Sequence, residues 1–316
     1  MEGVSFSLKE DEYVGLVGES GCGKTTLAKA IMRILPENGK IEEGTILFKA
    51  VNISEMPEEE YRRLRWKEIS IIPQSAMNSL DPVRRIGDQI VEAIKTHDST
   101  ISYPLAMSRI EELFALVGLE KKRLKDYPHQ FSGGMRQRAM IAMALALDPT
   151  LVIADEPTTG LDVIVQDQIL LKIREIRAAQ KKAMLLVSHD IAVVAENCHR
   201  IIVMYAGKVV ESGRVEDVFD YPHHPYTMGL LNAFPSIKGG TMELVSIPGA
   251  PPSLIDPPQG CRFHPRCPFA KDICSSTEPS LLYASEGHLC SCHFWEEAGS
   301  LREKARSVKT WQGVSN

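Results

Sequence analysis

The stretch Tyr13-Val-Gly-Leu-Val-Gly-Glu-Ser-Gly-Cys-Gly-Lys-Thr25 decides how the chain is read. Tyr13 to Val17 form an apolar run of the kind that suits a strand buried on both faces. Gly18, Glu19, Ser20, Gly21, Cys22, Gly23, Lys24 and Thr25 then match G-x-x-x-x-G-K-[ST], followed by Thr26. Beyond the loop, Leu27, Ile31, Ile34 and Leu35 stand at offsets of 4, 7 and 8, one face of a helix. A strand, a glycine-rich turn and a helix in this order make a phosphate-binding loop. The glycines let consecutive N–H groups point inward at phosphate oxygens, and the helix adds its positive end. Lys24 reaches the β- and γ-phosphates, and Thr25 offers a hydroxyl to Mg²⁺. Cys22 occupies a variable position, so its side chain is read as incidental; the alternative is an oxidisable loop, because a helix N-terminus lowers a thiol pKa.

Working outward, the chain of 316 residues is 44% hydrophobic, 24% charged and 6% aromatic, which excludes disordered, collagen-like and coiled-coil classes. A net charge of −5 argues against nucleic acid as a partner bound through bulk charge. The longest apolar run, Ala139 to Leu147, has nine residues, against the ~20 a spanning helix needs. No signal peptide is visible at the start, so the product is expected to stay in the cytoplasm. Up to about residue 220, short apolar runs such as Leu151–Ala154 and Ala183–Val187 alternate with helical stretches such as Val163–Gln180. That alternation indicates an α/β domain with a parallel sheet. After Tyr221 prolines crowd the chain and periodicity fades, which reads as an irregular extension rather than a second sheet domain.

The run Leu151-Val-Ile-Ala-Asp155-Glu156 supplies carboxylates at a strand's C-terminal end, where nucleotides bind in open α/β sheets. Asp155 is the candidate for the Mg²⁺ shell and Glu156 for polarising an attacking water. Between the two motifs lies Phe131-Ser132-Gly133-Gly134-Met135-Arg136-Gln137-Arg138, with Ser132 as a helix N-cap. Met135, Ala139, Ala142 and Ala146 continue it at helical spacing, which suits close packing on the core.

In this position the Ser132-Gly133-Gly134 segment resembles the signature motif of ATP-binding-cassette (ABC) ATPases. The other motifs of that family follow in order: Gln74 resembles its Q-loop, Gly160-Leu161-Asp162 its D-loop, and Ser188-His189-Asp190 its switch-histidine loop. The resemblance covers roughly residues 4 to 215. It implies an α/β P-loop NTPase fold, with a RecA-like parallel sheet core and a helical subdomain over residues 1–220. It implies ATP held with Mg²⁺ by Lys24, Thr25, Gln74 and Asp155, with Glu156 and His189 acting on the attacking water. It implies too that Ser132 and Gly134 cover the ATP of a second ATPase arranged head to tail. Family members stack an aromatic on adenine from a strand about 25 positions before the phosphate loop. Only 17 residues precede Gly18 and Tyr13 stands too close, so the native start is expected to lie upstream.

The Ser-Gly-Gly-Met-Arg-Gln-Arg form and Tyr221-Pro-His-His-Pro-Tyr-Thr-Met-Gly-Leu-Leu resemble the dipeptide/oligopeptide importer branch. The resemblance implies a pair of transmembrane permease subunits, a second homologous ATPase and, indirectly, an extracytoplasmic substrate-binding protein. It places the chain on the cytoplasmic face of the membrane, as a peripheral subunit. The region from Gln74 to Arg85 and the helical segment before Ser132 would face the permeases. Same-branch importers of nickel or oligosaccharides, and a soluble non-transport ABC ATPase, are the alternatives. The extension, residues 221–316, gathers Cys261, Cys267, Cys274, Cys290 and Cys292. A cytosolic chain does not use these as a disulfide framework, and the spacing is not that of a two-CxxC zinc ribbon. The segment resembles the cysteine region of peptide-importer ATPases, some of which carry a [4Fe–4S] cluster. That implies Cys261, Cys267, Cys274 and Cys292 as ligands, with Cys290 able to substitute and Zn²⁺ as the alternative metal.

Overall fold

A computed structural model of the chain describes residues 1–74, 79–158, 163–180, 182–233 and 245–313. Strands are β1 (Tyr13–Val17), β2 (Leu47–Phe48), β3 (Val51–Asn52), β4 (Ile69–Ile72), β5 (Leu151–Asp155), β6 (Ala183–Ser188), β7 (Arg200–Tyr205), β8 (Lys208–Arg214), β9 (Leu282–Ser285) and β10 (His288–Cys290). Helices are α1 (Lys24–Ile31), α2 (Glu58–Leu64), α3 (Ile86–His97), α4 (Tyr103–Leu116), α5 (Gly133–Leu145), α6 (Val163–Gln180), α7 (Ile191–Asn197), α8 (Val215–Asp220), α9 (Pro225–Asn232), α10 (Asp272–Ser276), α11 (Ala298–Ala305) and α12 (Val308–Gln312). The chain divides into two compact units. One gathers residues 1–8, 13–24 and 188–316; the other gathers 9–12 and 25–187.

In the second unit β4, β5 and β6 pair in parallel, with Ile69 opposite Leu151 and Leu151 opposite Ala183. Val152, Ile153, Ala154, Leu185 and Leu186 are almost fully buried, as their apolar runs require. Helices α3, α4 and α5 pack against one another through Ile90, Ile94, Ile110, Phe114, Ala139 and Ala142. The small alanines of α5 let its backbone approach its neighbours, as their spacing predicts. The helix after the phosphate loop is shorter than its apolar pattern suggests. Arg33 turns left-handed at φ 51°, Ile34 N–H donates back to Lys29 O at 2.9 Å, and Ile34 is left exposed. Ala28 and Met32, rather than Leu27 and Ile31, form the buried face of that segment.

The first unit is where the sheet departs from the parallel pattern. β1 pairs in parallel with β7, but β7 pairs antiparallel with β8. Ala206 and Gly207, both at positive φ, join β7 to β8 as a two-residue I′ turn, and a two-residue turn can only connect antiparallel neighbours. The proline-rich extension adds a hairpin to the same edge: β10 pairs antiparallel with β8, and β9 with β10. The sheet is therefore mixed, and among its described residues the extension that reads as irregular carries two strands and four short α-helices.

Buried polar groups explain the His-His-Pro-Tyr sequence that opens the extension. Glu211 on β8 is fully buried. Its carboxylate accepts from His223 N–H at 2.6 Å, His224 N–H at 3.0 Å and His288 Nε2 at 2.8 Å. Burial pushes the His224 imidazole down to about 4, so it stays neutral, and its Nδ1 accepts from Tyr226 N–H at 3.0 Å. His224 thus caps α9, with Pro225 at the first helical position, where its missing N–H costs nothing.

Gly15 on β1 faces Val194 of α7 so closely that an added Cβ would lie 2.0 Å from Val194 Cγ1. Gly15→Ala is expected to destabilise the folded chain by about 1–3 kcal/mol through overpacking. Val194→Ala in the same chain should recover most of that loss in a urea-unfolding comparison.

Candidate functional site

The phosphate loop leaves β1 at Gly18, whose φ is +153° and whose Cα lies so near β7 that a Cβ would sit 2.1 Å from Met204 O. No other residue fits that approach. The loop is pinned by Gly207 N–H donating to Cys22 O at 3.0 Å. Lys24 is 5% exposed, and its Nζ donates to Gly18 O at 2.6 Å and Glu19 O at 3.1 Å, inside the ring of the loop. Cys22 is buried. Burial raises its thiol pKa against the opposing pull of Lys24. Desolvation of the thiolate outweighs the helix end, which counts against the alternative of an oxidisable loop.

In the second unit four residues predicted from separate motifs meet in two pairs. Thr25 Oγ1 donates to Asp155 Oδ1 at 3.1 Å, and Gln74 Nε2 donates to Glu156 Oε2 at 2.8 Å. Asp155 ends β5 and is buried, while Glu156 lies partly open to solvent. Glu156 takes a left-handed φ of 47° and its N–H donates to Val187 O at 2.9 Å, which turns the carboxylate out of the line of the strand. The Thr25 hydroxyl and the Asp155 carboxylate in contact are hard oxygen donors that suit Mg²⁺.

Ser132 caps α5 through Met135 N–H at 3.3 Å. Ser132 and Gly133 are exposed, and a Cβ at Gly133 would meet no atom within 4 Å. His189 follows β6 and is exposed, and its neighbour Asp190 caps α7 by accepting from Ala192 N–H at 2.8 Å. Gly160, Leu161 and Asp162, with residues 75–78 after Gln74, lie outside the described residues. Tyr13 is buried and stacks on His199, with ring centroids 5.1 Å apart.

Sequence reasoning missed Gln137. It is buried on α5, and its Nε2 donates to Pro157 O at 2.7 Å and Pro73 O at 3.4 Å. It ties the backbone next to Glu156 to the backbone next to Gln74. A glutamine three positions after the glycine pair gives no local signal of that role.

In the first unit, Cys261, Cys267, Cys274 and Cys292 line one cavity with Phe263, Phe269 and Phe294, and Cys290 is not in its lining. Backbone bonds knit the segment: Cys261 N–H to Cys274 O at 2.8 Å, His264 N–H to Cys261 O at 2.9 Å and Cys267 N–H to His264 O at 3.2 Å. Burial pushes the Cys261 thiol up to about 11 and the Cys292 thiol up to about 12. Among the described residues no group of three or more His, Cys, Asp or Glu is placed to hold a metal ion. The expected metal site is therefore not found as a ligating group; the four cysteines share only a cavity lining.

The ABC transporter family matches residues 1–159, and the oligopeptide/dipeptide transporter C-terminal region matches residues 210–274. The chain is 46% identical over 294 residues to a probable peptide ABC transporter ATP-binding protein of Sinorhizobium fredii, covering 92% of this chain and 88% of that one. It is 45% identical over 290 residues to the oligopeptide transport ATP-binding protein OppD of Escherichia coli, covering 92% and 86%. Among solved structures, a dimeric post-hydrolysis state of the ATP-binding cassette MJ0796 bound to ADP and Pi superposes with a TM-score of 0.61 at 27% identity, over 66% of this chain and 88% of that one. The dimeric MJ0796 cassette in a second structure gives a TM-score of 0.61 at 28% identity, with the same coverage. The motifs, the paired residues and these likenesses agree: the chain belongs to the ABC transporter family of ATP-binding proteins, in the branch that carries the oligopeptide/dipeptide transporter C-terminal region.

Proposed function

We propose that this chain is the ATP-hydrolysing, energy-coupling subunit of an importer for dipeptides or oligopeptides. The observation that carries the reading is the Thr25–Asp155 contact at 3.1 Å, which joins the helix after the phosphate loop to the end of β5. Curated relatives described as dipeptide and oligopeptide transport ATP-binding proteins support the substrate class. Residues 1–220 are read as the ATPase and 221–316 as the extension.

In this mechanism main-chain N–H groups of residues 18–26 and the Lys24 ammonium neutralise the phosphate oxygens. Thr25, Asp155 and Gln74 hold Mg²⁺, which supplies charge stabilisation at the β- and γ-phosphates when bound. Glu156 accepts a proton from the attacking water, and its hydrogen bond from Gln74 aims the carboxylate. Water oxygen bonds to the γ-phosphorus, the bond to the bridging oxygen breaks, and ADP and phosphate leave. His189 contacts the γ-phosphate. Ser132, Gly133 and Gly134 donate to the γ-phosphate of a second, homologous ATPase, and Asp162 lies at the same junction. The open space around Gly133 supports that use of the helix end. Loss of the γ-phosphate frees the two ATPases to separate, and that change drives two permease subunits, fed by an extracytoplasmic binding protein. The subunit sits peripherally on the cytoplasmic face, with residues 74–85 and the segment before Ser132 toward the permeases. Among the described residues no helix is long and apolar enough to cross a membrane.

For the extension we read Cys261, Cys267, Cys274 and Cys292 as ligands of a [4Fe–4S] cluster. The shared cavity supports the four. Four thiolates of this kind would hold the cluster's irons when it is bound. Thiolate binding to iron replaces the protons that burial otherwise retains.

Glu156→Gln is expected to lower ATP turnover by about 100-fold or more while leaving nucleotide binding intact; unchanged turnover would remove Glu156 as the base. Anaerobically purified protein should be coloured and contain about four irons and four sulfides per chain. Cys292→Ser should lose that iron and Cys290→Ser keep it. A colourless, zinc-loaded protein would overturn the cluster.

A further inference from the structure

One ion pair in the first unit joins the phosphate loop to a residue outside every ATPase motif. Glu19 is the first variable residue of the phosphate loop. Its Oε2 accepts from Arg266 Nη1 at 2.6 Å and its Oε1 from Arg266 Nη2 at 3.0 Å, a bidentate fork. The Glu19 N–H donates to Tyr226 Oη at 2.9 Å. Both the side chain and the backbone of this loop residue are thus held by residues from beyond position 221.

The holding residues are themselves fixed. Arg266 is 6% exposed, its Nε donates to Pro248 O at 2.7 Å and its Nη2 to Gly249 O at 3.2 Å. Tyr205, Tyr226 and Phe263 are buried and pack with centroids 4.6, 5.1 and 5.3 Å apart. Phe263 also lines the four-cysteine cavity. Arg266 directly precedes Cys267, in the short turn His264–Arg266 whose hydrogen bonds join Cys261 to Cys267. A buried bidentate guanidinium–carboxylate pair is a directional constraint and not merely a charge contact. A phosphate loop binds only if its N–H groups already converge, since reordering the loop on binding would cost affinity.

We propose that the cysteine-bearing extension is a positioning element for the phosphate loop, with Arg266 as the positioning residue, so that nucleotide affinity depends on the order of a segment far from the phosphates in sequence. This rests on the ATPase reading above. Arg266 acts through Glu19 and touches no reacting atom. Disturbing the cysteine segment would release Glu19 and loosen the loop without altering Glu156 or Asp155.

The test uses the purified full chain and a fluorescent ATP analogue with Mg²⁺, alongside steady-state ATP hydrolysis. Arg266→Gln is expected to weaken nucleotide binding about tenfold, within the usual range of coupling between sites. KM for ATP should rise by a similar factor with kcat nearly unchanged. Arg266→Lys, which keeps the charge but not the fork, should recover part of the affinity. Glu19→Gln combined with Arg266→Gln should be no worse than the weaker single variant, because the two act through one contact. Wild-type affinity in Arg266→Gln, or losses that add in the double variant, would overturn the proposal. If Arg266→Gln cannot be recovered folded, Tyr226→Phe removes the acceptor for Glu19 N–H within an unchanged ring and carries the same expectation; wild-type affinity there would overturn it equally. A wild-type chain that binds no ATP would instead sink the ATPase reading.

Discussion

The 3.1 Å contact between the Thr25 hydroxyl and the Asp155 carboxylate brings together two residues 130 positions apart. It exists because each stands at the end of an element whose direction is fixed by burial. Thr25 begins the helix after the glycine turn, and Asp155 closes a strand whose apolar residues leave it no other course. A hard dication needs convergent oxygen donors. The rest of the site is arranged around those two atoms: Glu156 is next in the chain, Gln74 bonds to Glu156, and Gln137 holds the backbone beside both.

The strands that carry this site were legible because they are continuous apolar runs. Tyr13–Val17, Leu151–Asp155 and Ala183–Ser188 follow directly from residue type, and the Val163–Gln180 helix from its length and period. The Ser132 cap was legible because an N-cap is a local event. What escaped the sequence depended on partners distant in the chain. The helix after the phosphate loop stops at Ile31 because Arg33 turns left-handed, with its guanidinium on Ile53 O and Met56 O. No pattern within residues 24–35 announces those acceptors. Strands β9 and β10 have only four and three residues, too few to show a period, and they form because β8 offers an unpaired edge.

The cysteine segment shows the same division. The resemblance to peptide-importer ATPases pointed to four thiols, and those four share one cavity lining while Cys290 does not. Burial raises the proton affinity of the Cys261 and Cys292 thiols, a consequence of folding that spacing cannot express. The clamp on Glu19 was invisible for a simpler reason: an acidic residue in a glycine loop and an arginine beside a cysteine are each unremarkable until the fold brings these two, 247 positions apart, into contact.

The buried Glu211 carboxylate has a consequence for how this chain can be divided. Every donor recorded for it comes from beyond residue 220: the N–H groups of His223 and His224, and the ring of His288. Severing the polypeptide there would leave the buried Glu211 carboxyl with none of these donors, a loss that is a large share of a domain's net stability. The segment beyond residue 220 therefore completes the polar interior beside β8 and belongs to the same folded body as that strand.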